Sequence, residues 1–182
     1  MQRKNILLLL LTVLSFGAAN AQSKTKTVDQ KIDSLLSLMT LDEKIGQLAL
    51  FTTDWGATGP TIREGYKNDI RTGACGALFN SHGVAFTREL QRVAVEESRL
   101  KIPLLFGFDV IHGYKTIFPI PLGEAASWDL DAIELSARIA AREAAAAGLH
   151  WTFAPMVDVA RDPRWGRVME GAGEDTWLGS RI

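Results

Sequence analysis

Apolar residues recur at Val28, Ile32, Leu35, Leu36 and Met39, close to one face of a helix, and predict a helix over 28–39. Thr40 followed three residues later by Glu43 has the form of a capping box, so a second helix is expected from Leu41 towards Gly46. The short apolar run 48–52 predicts a strand. Gly, Thr, charge and Pro60 then fill 54–69, which predicts a loop with a short helix over 61–68. A strand is expected over 74–79, between Gly73 and Asn80. The spacing of Phe86, Leu90, Val93 and Val95 predicts a helix over 85–100, and the run 102–108 a strand ending at Asp109. The alanine-rich stretch 129–147 predicts a long helix, capped by Asp129 or Ser127 and stopped by Gly148. Trp151 to Ala154 predicts one more strand, and a further helix begins near Glu174.

Strands alternating with helices predict parallel βα units. The strands are short and mostly continuous in apolarity rather than alternating, as expected where both sheet faces are covered. A doubly wound sheet and a (β/α)8 barrel both fit this pattern. No Gly-x-Gly-x-x-Gly opens a helix after a strand, so a dinucleotide-binding version of the first has no support. The chain has 182 residues. A barrel needs roughly 250, so a barrel here is expected to be the N-terminal portion of one, truncated.

The first residues predict export rather than fold. Arg3 and Lys4 precede an apolar run from Ile6 to Leu14, and Ala19-Asn20-Ala21 is a small-x-small cleavage site. Residues 1–21 are therefore expected to be a signal peptide, with a secreted and periplasmic product beginning at Gln22. The run is shorter than the ~20 residues a span needs, so no stable membrane anchor is expected. Apolar residues make up 47% and charged residues 23%, which predicts a globular chain. Lys plus Arg is 20 and Asp plus Glu is 21, a net charge of -1, which argues against a nucleic-acid role. Cys75 is the only cysteine, so no intrachain disulfide forms, and no Cys/His cluster has metal spacing.

Candidate chemistry concentrates at two strand ends. Asp109, at the end of 104–108, sits where a parallel barrel carries its active site. Its carboxylate can accept hydrogen bonds from two neighbouring sugar hydroxyls, or it caps a helix or pairs with an arginine. His112 can orient a ligand, or be fixed by a backbone carbonyl. His82 and His150 are isolated. The stretch Val159–Glu170 carries Arg161, Arg164 and Arg167. A guanidinium offers a rigid fork of donors suited to hydroxyls and carboxylates. Arg167 is the expected ligand contact, while Arg161 and Arg164 are expected to pair with Asp158, Asp162, Glu170 or Glu174 and hold the loop; a pure salt-bridge network of all three is the alternative. Among Trp55, Trp128, Trp151, Trp165 and Trp177, packing is expected, with Trp165 best placed to offer an edge to a ligand.

Four motifs in order, residues 38–48, Phe106 to Gly113, Phe118 to Gly123, and Phe153 to Val159 with Arg161 to Arg167, resemble glycoside hydrolase family 3, above all its exported bacterial β-glucosidases. The resemblance implies that residues 22–182 are part of a (β/α)8 TIM-type barrel domain. It implies retaining hydrolysis of terminal β-D-glucosyl residues, with a β-glucoside or oligosaccharide as substrate. That chemistry uses two carboxyl groups about 5–5.5 Å apart and needs no cofactor or metal. It also implies that Asp109 and Arg167 contact the terminal glucose. The family's Lys-His pair, its Ser-Asp-Trp-like nucleophile segment and its acid/base glutamate have no counterpart in these residues. No catalytic residue is therefore expected in this chain, and residues 22–182 alone are expected to be inactive and poorly folded. A non-catalytic sugar-binding protein of the same fold and a β-xylosidase are the alternatives. An N-acetylhexosaminidase is disfavoured, because Val110-Ile111-His112-Gly113 stands where that branch carries Glu-Gly-Gly-Arg.

Overall fold

The computed structural model describes residues 26–182. The expected signal peptide lies outside the described residues. Two compact units divide between Met39 and Thr40. The first carries helix α1 (Val28–Leu38), which opens with a reciprocal capping box between Thr27 and Gln30.

The second unit begins with α2 (Leu41–Gln47). Here the expected capping box is present: the Glu43 N–H donates to Thr40 Oγ1 at 3.2 Å, and the Thr40 N–H to Glu43 Oε2 at 2.8 Å. Strand β1 (Leu50–Thr52) leads into a hairpin, β2 (Asp54–Gly56) and β3 (Gly59–Thr61), then α3 (Glu64–Thr72) and β4 (Ala77–Phe79). Helix α4 (Val84–Arg92) runs on as a π-helical turn over Val93–Glu97 to β5 (Leu105–Phe108). The short α5 (Pro121–Ala125), the long α6 (Leu130–Ala146), β6 (Trp151–Thr152), a 3-10 turn (Val168–Glu170) and α7 (Thr176–Gly179) complete it. Asp129 rather than Ser127 caps α6, accepting from the Ala132 N–H at 3.0 Å, and Gly148 ends it in the left-handed region with φ 86°.

Two elements depart from the expectation. The loop over 54–69 contains the β2–β3 hairpin, and its helix starts three residues later than predicted. Helix α5, with Pro121 in its first turn, went unpredicted because Pro119 stands just before it and Pro121 and Gly123 lie within it; Pro is tolerated there, where its missing N–H has no partner to lose.

Strands β1, β4, β5 and β6 form one parallel sheet in that order. Each strand lies beside the next parallel strand in the chain, with no reversal. A doubly wound sheet reverses strand order at a switch point, whereas a (β/α)8 barrel adds strands in succession, so the order selects the barrel. One face carries Leu78 and Phe106, both fully buried against Ile70, Leu90, Val93, Ala140 and Ala144 of the helices. The register puts Leu50, Ala77 and Leu105 in one row and Gly107 beside Trp151 on the opposite face. That face is the one a barrel turns inward. Gly107 gives the ring room there: a Cβ would stand a tight 3.1 Å from the Phe153 ring, which packs edge-on against Phe79 with centroids 4.9 Å apart.

Helix α2 presses on the turn before β4. A Cβ on Gly46 would lie 1.9 Å from the Gly73 carbonyl oxygen, so only glycine allows that approach. Glu43, buried beside this contact, accepts from Arg99 Nε at 2.9 Å and also pairs with Arg99 Nη2. The Arg99 hydrogen bonds, followed by that from the Thr40 N–H, hold the Glu43 carboxyl down at about 2. Its folded value lies below its unfolded value, so the stability it contributes is present above the ordinary carboxylate range and is lost as pH falls towards about 2. Glu43→Gln is therefore expected to lower the melting temperature at pH 7, with the gap from the unsubstituted protein closing as pH falls towards 2. Thermal melts across pH check this; a gap that stays constant with pH contradicts it.

Candidate functional site

Because the four strands run parallel, all their C-terminal ends point to one edge of the sheet. The segments leaving that edge carry the candidate chemistry. Asp109 directly follows β5 and is exposed. The segment after β6 turns at a cis Ala154–Pro155 bond and pairs once with itself, Met156 bridging to Gly171. A hydrogen bond from the Ala160 N–H to the Gly173 carbonyl closes it at 3.0 Å. The two segments pack together: α5 lies against the 3-10 turn Val168–Glu170, and Leu122 Cδ1 stands beside Gly173. This contact brings Arg167 towards Asp109.

The arginines divide their work. Arg164 clasps Asp162, with Nη2 donating to Oδ2 at 2.6 Å and Nε to Oδ1 at 3.0 Å, as expected of a loop-holding residue. Arg161 has no salt bridge among the described residues, contrary to its expected pairing. Arg167 is held by Glu170, Nε donating to Oε1 at 2.9 Å and Nη2 to Oε2 at 2.6 Å. A guanidinium has five N–H donors, so the pairing fixes one edge of the fork and leaves the Nη1 side for a ligand. The hydrogen bonds of Glu170 raise the Arg167 guanidinium above its ordinary value, with further help from the charges of Asp158 and Asp109. Arg167 thus sits within the field of two carboxylates from two different strand ends. Both Asp109 and Arg167 are exposed on this edge.

The histidines take the structural alternatives. His112 Nδ1–H donates to the Phe118 carbonyl at 3.2 Å, while the Phe118 N–H donates to the His112 carbonyl at 2.8 Å. These bonds close the loop that follows Asp109. His150 Nδ1 accepts from the Phe106 N–H at 3.2 Å. His82, just beyond β4, lies in an aromatic cluster at the same sheet edge, with centroids 5.0 Å from Trp55 and 4.9 Å from Phe108. Tyr114 closes the cluster against Phe108 at 6.2 Å. Sequence reasoning left Trp55 and His82 aside. The signal available was positional: each follows the C-terminal end of a predicted strand by three residues.

Arg167 and Asp109 lie outside the cavity of about 340 Å³ between α6 and β6. One wall of that cavity is Ala137, Ala140, Ala141 and Ala144, and its polar side chains include His112, Glu124 and Ser136. No group of His, Cys, Asp and Glu suited to a metal ion occurs among the described residues.

Residues 40–182 match the Glycosyl hydrolase family 3 N terminal domain. The chain is 50% identical over 152 residues to a periplasmic beta-glucosidase of Salmonella typhimurium, covering 84% of this chain and 19% of that protein. It is 29% identical over 171 residues to a putative beta-xylosidase of Formosa agariphila, covering 86% of this chain and 23% of that one. The crystal structure of a beta-glucosidase from Listeria innocua in complex with glucose superposes with a TM-score of 0.73 at 40% identity, over 85% of this chain and 23% of that one. The chain therefore spans about a fifth of the length of the relatives it matches.

Burial lowers the pKa of His82 from its ordinary 6.5. The folded state then holds fewer protons than the unfolded chain just below 6.5, so stability falls with falling pH in that window. An NMR titration is expected to show His82 titrating below the ordinary imidazole value; a value at or above 6.5 contradicts the half-buried placement.

Proposed function

This chain belongs to glycosyl hydrolase family 3, and we propose that it is the sugar-holding N-terminal part of an exported, retaining β-glucosidase acting on terminal non-reducing β-D-glucosyl residues. The observation that carries the reading is the convergence of Asp109 and Arg167, from two adjacent strand ends, on one exposed edge of the sheet. The carboxylate of Asp109 accepts from two neighbouring hydroxyls of the terminal sugar. Arg167, oriented by Glu170, donates to a hydroxyl oxygen of the same sugar. These contacts bind and orient the ring; they break no bond. The two carboxyl groups that do the chemistry, one as nucleophile and one as acid/base, are assigned to no residue of this chain.

Supporting the glucosidase reading over a xylosidase is the higher identity to the Salmonella typhimurium protein, 50% against 29%. The glucose bound in the Listeria innocua relative supports the same sugar class. We further propose that residues 1–21 direct export to the periplasm and are removed. The mature protein is expected to begin at Gln22, and mass spectrometry of periplasmic protein checks it: an N-terminus still carrying Met1 contradicts the export reading.

The protein as its gene encodes it is expected to cleave an aryl β-glucoside in preference to an aryl β-xyloside. A hydrogen bond to a charged group is worth about 1.5–3 kcal/mol, so Asp109→Asn and Arg167→Lys should each lower kcat/KM roughly 10- to 200-fold with the fold intact. Unchanged kinetics in both variants would remove the assignment of these residues. A wild-type protein inert towards both glycosides would remove the enzymatic reading.

A further inference from the structure

The hairpin β2–β3 projects from the sheet edge that carries Asp109, and no motif assigns it a task. It is tied at its base by an ion pair between Asp54 and Arg63, and its turn lies over the His82 ring, 3.9 Å from where a Cβ on Gly59 would stand. Trp55, in β2, lies parallel to Phe108, with an interplanar angle of 9° and centroids 6.4 Å apart. Phe108 is the residue before Asp109. At that separation the two rings are offset, with the nearer His82 ring tilted against Trp55, and Trp55 remains 51% exposed, leaving ring surface open to a ligand. Its backing is firm, because His82 and Tyr114 pack on Phe108 from the sides.

Beneath it the chain is bent to suit. Asn80, just after β4, takes the left-handed conformation with φ 62°. Thr53 Oγ1 donates to its carbonyl at 2.9 Å and its Nδ2 donates to Thr52 Oγ1 at 3.2 Å. Asn is among the few non-glycine residues that adopt this conformation readily, and these two bonds fix it. Here it turns the chain so that His82 reaches under Trp55. The result is an aromatic shelf built on Phe108, the residue before Asp109, at the same sheet edge; a sugar ring takes such a flat apolar surface for its C–H face and a carboxylate acceptor for its hydroxyls.

We propose that Trp55 is a sugar-platform residue, its open ring surface packing against the ring that Asp109 holds, so that the β2–β3 hairpin forms one wall of the sugar pocket. The proposal rests on the sugar-binding role of Asp109 given above. Kinetics on the protein as its gene encodes it, with an aryl β-glucoside as substrate and glucose as competing ligand, test it. Trp55→Ala is expected to raise both KM and the inhibition constant of glucose roughly tenfold with kcat nearly unchanged, and Trp55→Phe to keep most of the affinity because a ring face remains. Glucose should also shift the tryptophan emission of the wild type, and this shift should vanish in Trp55→Phe, a readout that holds even if Trp55→Ala fails to fold. An active wild type whose Trp55 variants bind glucose equally well, with the emission shift retained in Trp55→Phe, overturns the platform alone. A wild type that neither cleaves the glucoside nor binds glucose overturns the platform and the functional reading together.

Discussion

Parallel strands cannot be joined by a tight turn; each must return across the outside of the sheet through a crossover before the next can pair. Every strand of the main sheet obeys this constraint, and the rest of the second unit follows from it. The crossovers carry α3, α4 and α6, whose apolar residues meet Leu78 and Phe106 and form the core. All four C-terminal ends then share an edge, so segments distant in the chain become neighbours there. Asp109 and Arg167 are 58 positions apart in numbering (167 minus 109), yet both leave that edge.

Charge pairing does the finer placing. An arginine alone in a loop samples many rotamers, and ordering it costs conformational entropy. Glu170 settles that cost for Arg167 before any ligand arrives, and Asp162 does the same for Arg164. Exposed pairs of this kind add little to stability, so their value lies in orientation. Glu43 differs: it is buried, caps α2 and holds Arg99, which ties the entry of the second unit to the segment before β5.

Much of this could be read from the chain. Capping residues marked α2 and α6, and apolar runs marked β4 and β5; the sugar-binding roles of Asp109 and Arg167 come from the resemblance and stand as the proposal. Local signals failed where the structure depends on distant partners. The β2–β3 hairpin has Thr, Gly and Pro in place of alternating apolar residues, and it holds its shape by seating Trp55 on Phe108 and His82, contacts that no local window contains. Which acid each arginine takes was not legible, because several carboxylates lie nearby in sequence; the fold pairs Arg164 with Asp162 and Arg167 with Glu170 and gives Arg161 no salt bridge among the described residues.

The central claim is that the C-terminal edge of this sheet holds a sugar between Asp109 and Arg167. A crystal structure of the protein as its gene encodes it, grown with glucose, tests that claim most directly. The account predicts glucose at the sheet edge, with hydroxyls within hydrogen-bond distance of both the Asp109 carboxylate and the Arg167 guanidinium. Glucose bound elsewhere, with both side chains untouched, would contradict it.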